Sequence, residues 1–180
     1  MPFIEVPFNR NKGISQDADE EFLSLALKKN NMLKHIFIVL SVALTFGACT
    51  RDYEKQLEKD IEKIQDYLDE NGLVAESTES GLHYIIEVPG SGGHPGLTDE
   101  VTVHYKGYDL NGDVFDESGA QPIEFFLYQV IPGWQEGIPL FKKGGSGILL
   151  IPSGLAYGPN PRPGIEKNAV LIFEVELVNF

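Results

Sequence analysis

Val101-Thr102-Val103-His104-Tyr105-Lys106-Gly107-Tyr108-Asp109-Leu110-Asn111-Gly112-Asp113-Val114-Phe115-Asp116-Glu117-Ser118 decides the fold class. Its first six residues alternate apolar and polar side chains, so Val101, Val103 and Tyr105 share one face of a strand while Thr102, His104 and Lys106 share the other. Asn111-Gly112 is a strong hairpin signal, because a two-residue turn needs backbone conformations that this pair adopts readily. It folds the chain back into a second strand through Val114-Phe115. An antiparallel hairpin with one buried face is the seed.

Working outward, the same punctuation recurs. Leu82 to Val88 predicts a strand ended by Pro89-Gly90, and Gly90 to Gly96 (GSGGHPG) predicts a loop. Ile123 to Leu127, Gly147 to Ile151 and Val170 to Leu177 predict three more strands. In the last, Leu171, Phe173, Val175 and Leu177 share a face, with Glu174 and Glu176 opposite. Trp134 to Leu140 predicts only a short helix, limited by Gly137 and Pro139. Sixteen of the 19 glycines and nine of the 11 prolines lie between Gly81 and Phe180, marking many turns between short strands. The expectation is α+β: an antiparallel sheet covered on one side by a short helix.

Before this region, Asp52 to Asn71 places Tyr53, Leu57, Ile61, Ile64 and Leu68 at steps of four, four, three and four, with Tyr67 alongside. That spacing predicts an amphipathic N-terminal helix, ended by Asn71-Gly72. Glu54, Glu58 and Glu62 are spaced to meet Lys59 and Lys63. The apolar stripe has two readings, packing against its own domain or a homodimer seam, and the first is favoured.

The front of the chain reads as an address. Ile36 to Ala48 is thirteen residues without a charge, short of the ~20 a spanning helix needs. Lys34 and His35 precede it, and Gly47-Ala48 close it before Cys49, the single cysteine. A basic start, a short apolar run and a small-residue end describe a secretory signal. With cysteine directly after, Phe46-Gly47-Ala48-Cys49 resembles a bacterial lipobox, whose cysteine is lipidated. The expected organisation is therefore residues 1–31 as an N-terminal extension, with Met32 favoured over Met1 as the start. Residues 32–48 are a lipoprotein signal peptide, 49–80 a lipid-anchored linker with the amphipathic helix, and 81–180 the main domain.

Composition excludes several functions. The chain has 180 residues and a formal charge of −13, from 14 basic and 27 acidic side chains. That balance argues against nucleic acid as a partner, since affinity for phosphates comes from basic residues. The first 48 residues carry five of each sign, so the exported part is equally acidic. One cysteine forbids an internal disulfide, and the four histidines show no metal-ligand spacing, so no metal is expected. Gly145-Ser146-Gly147 lacks the strand–nucleophile–helix context of an activated serine. Gly90-Ser91-Gly92-Gly93 lacks the lysine of a phosphate loop. What stands out is the density of aromatic residues near turns.

Taken together, Val101 to Ser118, QVIPGWQEGIP (Gln129 to Pro139), IPSGLAYG (Ile151 to Gly158) and AVLIFEVELV (Ala169 to Val178) resemble the FKBP-type peptidyl-prolyl cis-trans isomerases, in order and over roughly Gly81 to Phe180. The resemblance implies a bent antiparallel sheet wrapped around a short helix and an aromatic proline pocket without a cofactor. It implies Tyr105, Phe115, Asp116, Ile131, Trp134, Tyr157 and Phe173 as catalytic residues. Phe125, Val130 and Ile165 are implied to bind substrate. Departures fall at Ile123, where the family often has phenylalanine, at Pro132, at Arg162 and at Glu166-Lys167. The partners implied are proline-containing or unfolded exported polypeptides, with macrolides such as tacrolimus as ligands. The location expected is the cell envelope, lipid-anchored and facing the periplasm, with the outer membrane favoured. The rival reading is a non-catalytic peptide-binding module or holdase built on the same fold.

Overall fold

The computed structural model describes residues 51–180; the expected extension and signal peptide, and Cys49, lie outside the described residues. In chain order the described residues form helix α1 (residues 51–71), strands β1 (Glu76–Ser77), β2 (His83–Val88), β3 (Glu100–Asp109), β4 (Val114–Glu117) and β5 (Ile123–Phe126), helix α2 (Pro132–Gly137), and strands β6 (Gly145–Ile151) and β7 (Leu171–Asn179). Three 3₁₀ turns, Leu127–Gln129, Ile138–Leu140 and Ser153–Leu155, join them.

All the strands make one antiparallel sheet in the order β1-β2-β6-β7-β3-β4. β5 pairs with the first half of β3, Val101 facing Phe125, and β4 with its second half, Gly107 facing Asp116. β7 lies along β3's other edge, from Thr102 opposite Asn179 to Asp109 opposite Leu171. Register shifts interrupt the ladders at Ile86/Val88, Thr102/Val103 and Gly107/Tyr108. Such irregularities add local twist and bend the sheet. The bent sheet around a short helix is the predicted architecture.

The period-2 pattern assigns the two faces. Val101 and Val103 of β3, Leu149 and Ile151 of β6, and Leu171, Phe173, Val175 and Leu177 of β7 pack with Trp134 and Ile138 in the main core. α2 lies directly on β6: a methyl added at Gly133 would overlap Ile151, and one at Gly137 would come 2.7 Å from Leu149. Two glycines four residues apart therefore let the helix backbone touch the sheet. α2 begins two residues before the expected Trp134, because Pro132 fits the first helical turn, where an N–H would have no partner.

The opposite face is not bare, which the expectation of one-sided cover missed. Ile64 and Leu68 of α1 are buried against Leu150, Val170 and Ile172, with Ile85, Tyr108 and Ile148 around them. The amphipathic stripe thus packs on its own sheet, the favoured of its two readings. α1 is part of one compact unit with the strands and does not stand off as a free stalk. It ends in a Schellman motif: Gly72 has φ 64°, its N–H donates to the Asp69 carbonyl at 3.3 Å, and the Leu73 N–H donates to the Leu68 carbonyl at 2.9 Å. The expected Glu–Lys pairs on α1 do not form ion pairs within 4 Å among the described residues. No described helix is long and apolar enough to cross a membrane.

Candidate active site

α2 projects Trp134 toward the mouth of the sheet, and its 5% exposure makes it the floor of a cavity of about 390 Å³. Tyr105 from β3 and Phe173 from β7 stand edge-on to the indole, each with its ring centre 5.1 Å away. Phe125 from β5 closes a third side at 5.4 Å. Val130 and Ile131, between the Leu127–Gln129 turn and α2, supply aliphatic wall. The extended backbone of Ile131 opens onto the cavity, and its N–H has no acceptor among the described residues. Gln135 holds that segment in place, its Nε2 donating to the Val130 carbonyl at 2.7 Å.

Eight of the ten residues expected to act on or bind substrate line this one cavity: Tyr105, Asp116, Phe125, Val130, Ile131, Trp134, Tyr157 and Phe173. Phe115 and Ile165 do not. They line a neighbouring cleft of about 210 Å³ with Asp109, Asp113 and Leu171. Phe115 nonetheless stands on the same face as the cavity, edge-on to Phe173 at 5.5 Å and with the Arg162 guanidinium 5.8 Å from its ring centre, because the register shift between Gly107 and Tyr108 leaves it as the unpaired residue of a bulge and breaks the strand alternation there. That stacking needs a bare backbone at Gly107, where a Cβ would come 2.7 Å from Phe173 and 2.8 Å from Phe115. Phe115 thus packs against two residues of the cavity lining, Phe173 and Arg162.

The polar side of the cavity is a small electrostatic assembly. Arg162 Nη2 donates to Asp116 Oδ2 at 2.7 Å, and the guanidinium lies 5.3 Å from the Tyr157 ring centre and 5.8 Å from that of Phe115. The hydrogen bond to Asp116 raises the Arg162 pKa further. Burial first, then the facing Asp116 carboxylate, pushes the Tyr105 phenol up to about 12, so it stays protonated and can donate toward Asp116 throughout the neutral range. The Tyr157 hydroxyl bonds to no described residue, and the buried Trp134 Nε1 has no partner among them. Arg162 and Ile123, read from sequence only as departures, both line the cavity, as do Glu124 and Gln129, which sequence reasoning missed. Arg162 and Asp116 are 46 residues apart, and no local pattern signals such a pair.

A larger cleft of about 500 Å³ lies along the sheet face opposite α2, lined by Glu87, His104, Lys106, Glu117, Glu174 and Glu176 among others. It is open and mostly charged, lacking the enclosed apolar walls that seat a small apolar group. The aromatic cavity is the better candidate. It offers apolar walls, two unpaired hydrogen-bond donors at the rim and one carboxylate already bound by arginine. No serine or cysteine is among the described residues that line it.

Residues 92–178 match the family described as FKBP-type peptidyl-prolyl cis-trans isomerase. The chain is 50% identical over 107 residues to FkpA of Buchnera aphidicola subsp. Baizongia pistaciae, a match covering 58% of this chain and 43% of that protein. It spans less than half the length of the curated relatives it matches. Among solved structures it is similar to FkpA from Escherichia coli, with a TM-score of 0.61 and 31% identity over 93% of this chain and 73% of that one. It is similar as well to a peptidyl-prolyl cis-trans isomerase from Pseudomonas syringae pv. tomato, with a TM-score of 0.61 and 30% identity over 70% of this chain and 93% of that one.

Proposed function

The chain belongs to the family of FKBP-type peptidyl-prolyl cis-trans isomerases, and from that premise we propose that it accelerates rotation about Xaa-Pro bonds in exported polypeptides. One observation carries the reading: Tyr105, Asp116, Ile131, Trp134, Tyr157 and Phe173, from five separate segments, converge on a single apolar cavity. The barrier to peptide rotation, about 18–20 kcal/mol, is the resonance between nitrogen and carbonyl. In the twisted transition state that resonance is lost and the amide is less dipolar. Walls of Trp134, Phe173, Phe125 and Val130 solvate the planar dipole poorly and the twisted amide comparatively well, and each 1.36 kcal/mol of that difference is tenfold in rate. The proline ring sits on the Trp134 floor. The Ile131 N–H and the Tyr157 hydroxyl hold substrate carbonyls, and Asp116, fixed by Arg162 and faced by Tyr105, lies against the rotating amide. No covalent step is required.

The test is cis-trans exchange in an Ala-Leu-Pro-Phe peptide, followed by NMR with the full chain. Acceleration that tacrolimus abolishes upholds the isomerase and its site. No acceleration by the folded chain overturns it in favour of the holdase reading. Asp116→Ala and Phe173→Ala are each expected to lower kcat/KM about tenfold or more, with the circular dichroism of the fold retained. Parent rates in both variants would show that the site is misplaced.

The setting proposed is the periplasm, with lipid on Cys49 holding the domain to a membrane, the outer one favoured. Its support is the sequence before Cys49: a basic start, a thirteen-residue apolar run and small residues at the end.

A further inference from the structure

α1 contains a carboxylate that its packing does not explain. Asp60 is completely buried. A buried carboxylate is costly unless its lone pairs are filled, and here three donors fill them. Oδ2 accepts from the Ser153 backbone N–H at 2.9 Å and from Ser153 Oγ at 2.5 Å, while Oδ1 accepts from Gln56 Nε2 at 2.8 Å. Gln56, one turn earlier on the same helix, completes a second link, its Oε1 accepting from Asn168 Nδ2 at 3.3 Å. One further turn back, the Tyr53 ring lies against Gly154, where an added Cβ would come 2.7 Å from it.

These partners are not scattered. Ser153 and Asn168 are the two ends of the segment that bears Tyr157 and Arg162 on the cavity rim and Ile165 behind it. The ends are joined across the neck, since the Gly158 N–H donates to the Ser153 carbonyl at 2.9 Å and the Asn168 N–H to the Gly158 carbonyl at 2.9 Å. Asn168 turns this end of the loop through a left-handed backbone, φ 54°, that asparagine adopts more readily than most side chains. The residues that seat α1 on the sheet, Ile64 and Leu68, lie one and two turns further along, and no hydrogen bond from Asp60 reaches the sheet. α1 also lies wholly before the segment matched to the family, residues 92–178.

We propose that Asp60, assisted by Gln56, is a positioning residue for the cavity: through it α1 clamps both ends of the Ser153–Asn168 loop and so fixes the Tyr157 hydroxyl and the Arg162 guanidinium at the rim. This rests on the isomerase reading above. Its consequence is that a helix outside the family segment sets how well the site grips substrate. Because Tyr157 holds a substrate carbonyl in ground and transition states alike, loosening the loop weakens binding more than turnover.

The experiment compares the full chain with Asp60→Ala and Asp60→Asn in two readouts. One is exchange in Ala-Leu-Pro-Phe, analysed for KM and kcat; the other is amide hydrogen exchange. Asp60→Ala is expected to raise KM about tenfold with kcat within about twofold. It is also expected to speed exchange at Ala156, Gly158 and Asn168 about tenfold or more while β3 and β7 keep parent protection. Asp60→Asn, which still offers one oxygen to Ser153 but turns an amide nitrogen toward Gln56 Nε2, is expected to fall between the parent and Asp60→Ala in both. Parent KM and parent loop protection in Asp60→Ala would overturn the proposal, as would protection lost equally over loop and sheet, which marks a merely structural residue. Should Asp60→Ala fail to fold, Ser153→Ala, which removes only the shorter bond, gives the same decision. If the parent chain accelerates nothing, the isomerase reading falls, and the loop amides of Asp60→Ala alone then uphold or overturn the clamp.

Discussion

Trp134 shows how one side chain can serve the cavity at a cost to the fold. Its ring meets three other aromatics, yet its buried N–H has no partner among the described residues. An orphaned buried donor costs about 1–3 kcal/mol, comparable with what is lost by shrinking an indole to a phenyl ring. Trp134→Phe should therefore leave the urea unfolding free energy within about 1 kcal/mol of the parent, because the two effects offset. A loss beyond about 3 kcal/mol would mean that the ring area outweighs the orphaned donor. Tyr105 gives a prediction with a sign. Its phenol is raised from 10.0 to about 12, so the native state retains a proton that the unfolded chain gives up first. The stability this contributes is complete below pH 10 and is lost as pH rises through 12. Unfolding midpoints measured across that window should fall less steeply for Tyr105→Phe than for the parent. Equal slopes would show that neither burial nor Asp116 holds the phenol.

At the scale of elements, what the sequence disclosed follows the range of the interactions. The Val101–Lys106 alternation, the Asn111-Gly112 turn and the Leu171–Leu177 face are local patterns, and β3, β4 and β7 form where they predict. β1, two residues paired with Tyr84 and His83, is too short to carry any period and was not foreseen. Most of the cavity was legible because its residues sit in those strands and in the motif around Trp134. Phe115 stands beside Phe173 at the edge of the cavity, its ring set by a break in the β3–β4 register that no local pattern signals. Arg162 on Asp116 and Asp60 on Ser153 could not be read at all, being 46 and 93 residues apart. The two-sided cover of the sheet was half legible: the stripe on α1 was plain, but its target was not. Ile64 tests that target. It is completely buried against β6 and β7, so Ile64→Ala should cost about 2–5 kcal/mol in chemical denaturation, whereas exposed Gln65→Ala should cost almost nothing. A near-zero loss at Ile64 would detach α1 from the sheet and with it the clamp on the loop.

For the molecule as a whole, charge and anchor pull in different directions. From Cys49 onward the chain has 9 basic and 22 acidic residues, leaving it at −13. A surface with that excess is repelled by anionic headgroups, and the repulsion weakens as salt shortens the Debye length. Any membrane attachment must then come from a hydrophobic anchor, and on the reading proposed for Cys49 that anchor is lipid. A single acyl chain gives only reversible binding, so stable attachment requires at least a second chain or an independent signal, and the acidic domain supplies none. Cys49→Ala is therefore expected to move the protein from the membrane pellet into the soluble periplasmic fraction, at low and high salt alike, without changing its rate on a short proline peptide. A Cys49→Ala protein that stays with membranes through a high-salt wash would remove the lipid from the account. Release of the parent by salt alone would remove the hydrophobic anchor altogether, and would require a basic partner to hold the acidic domain there.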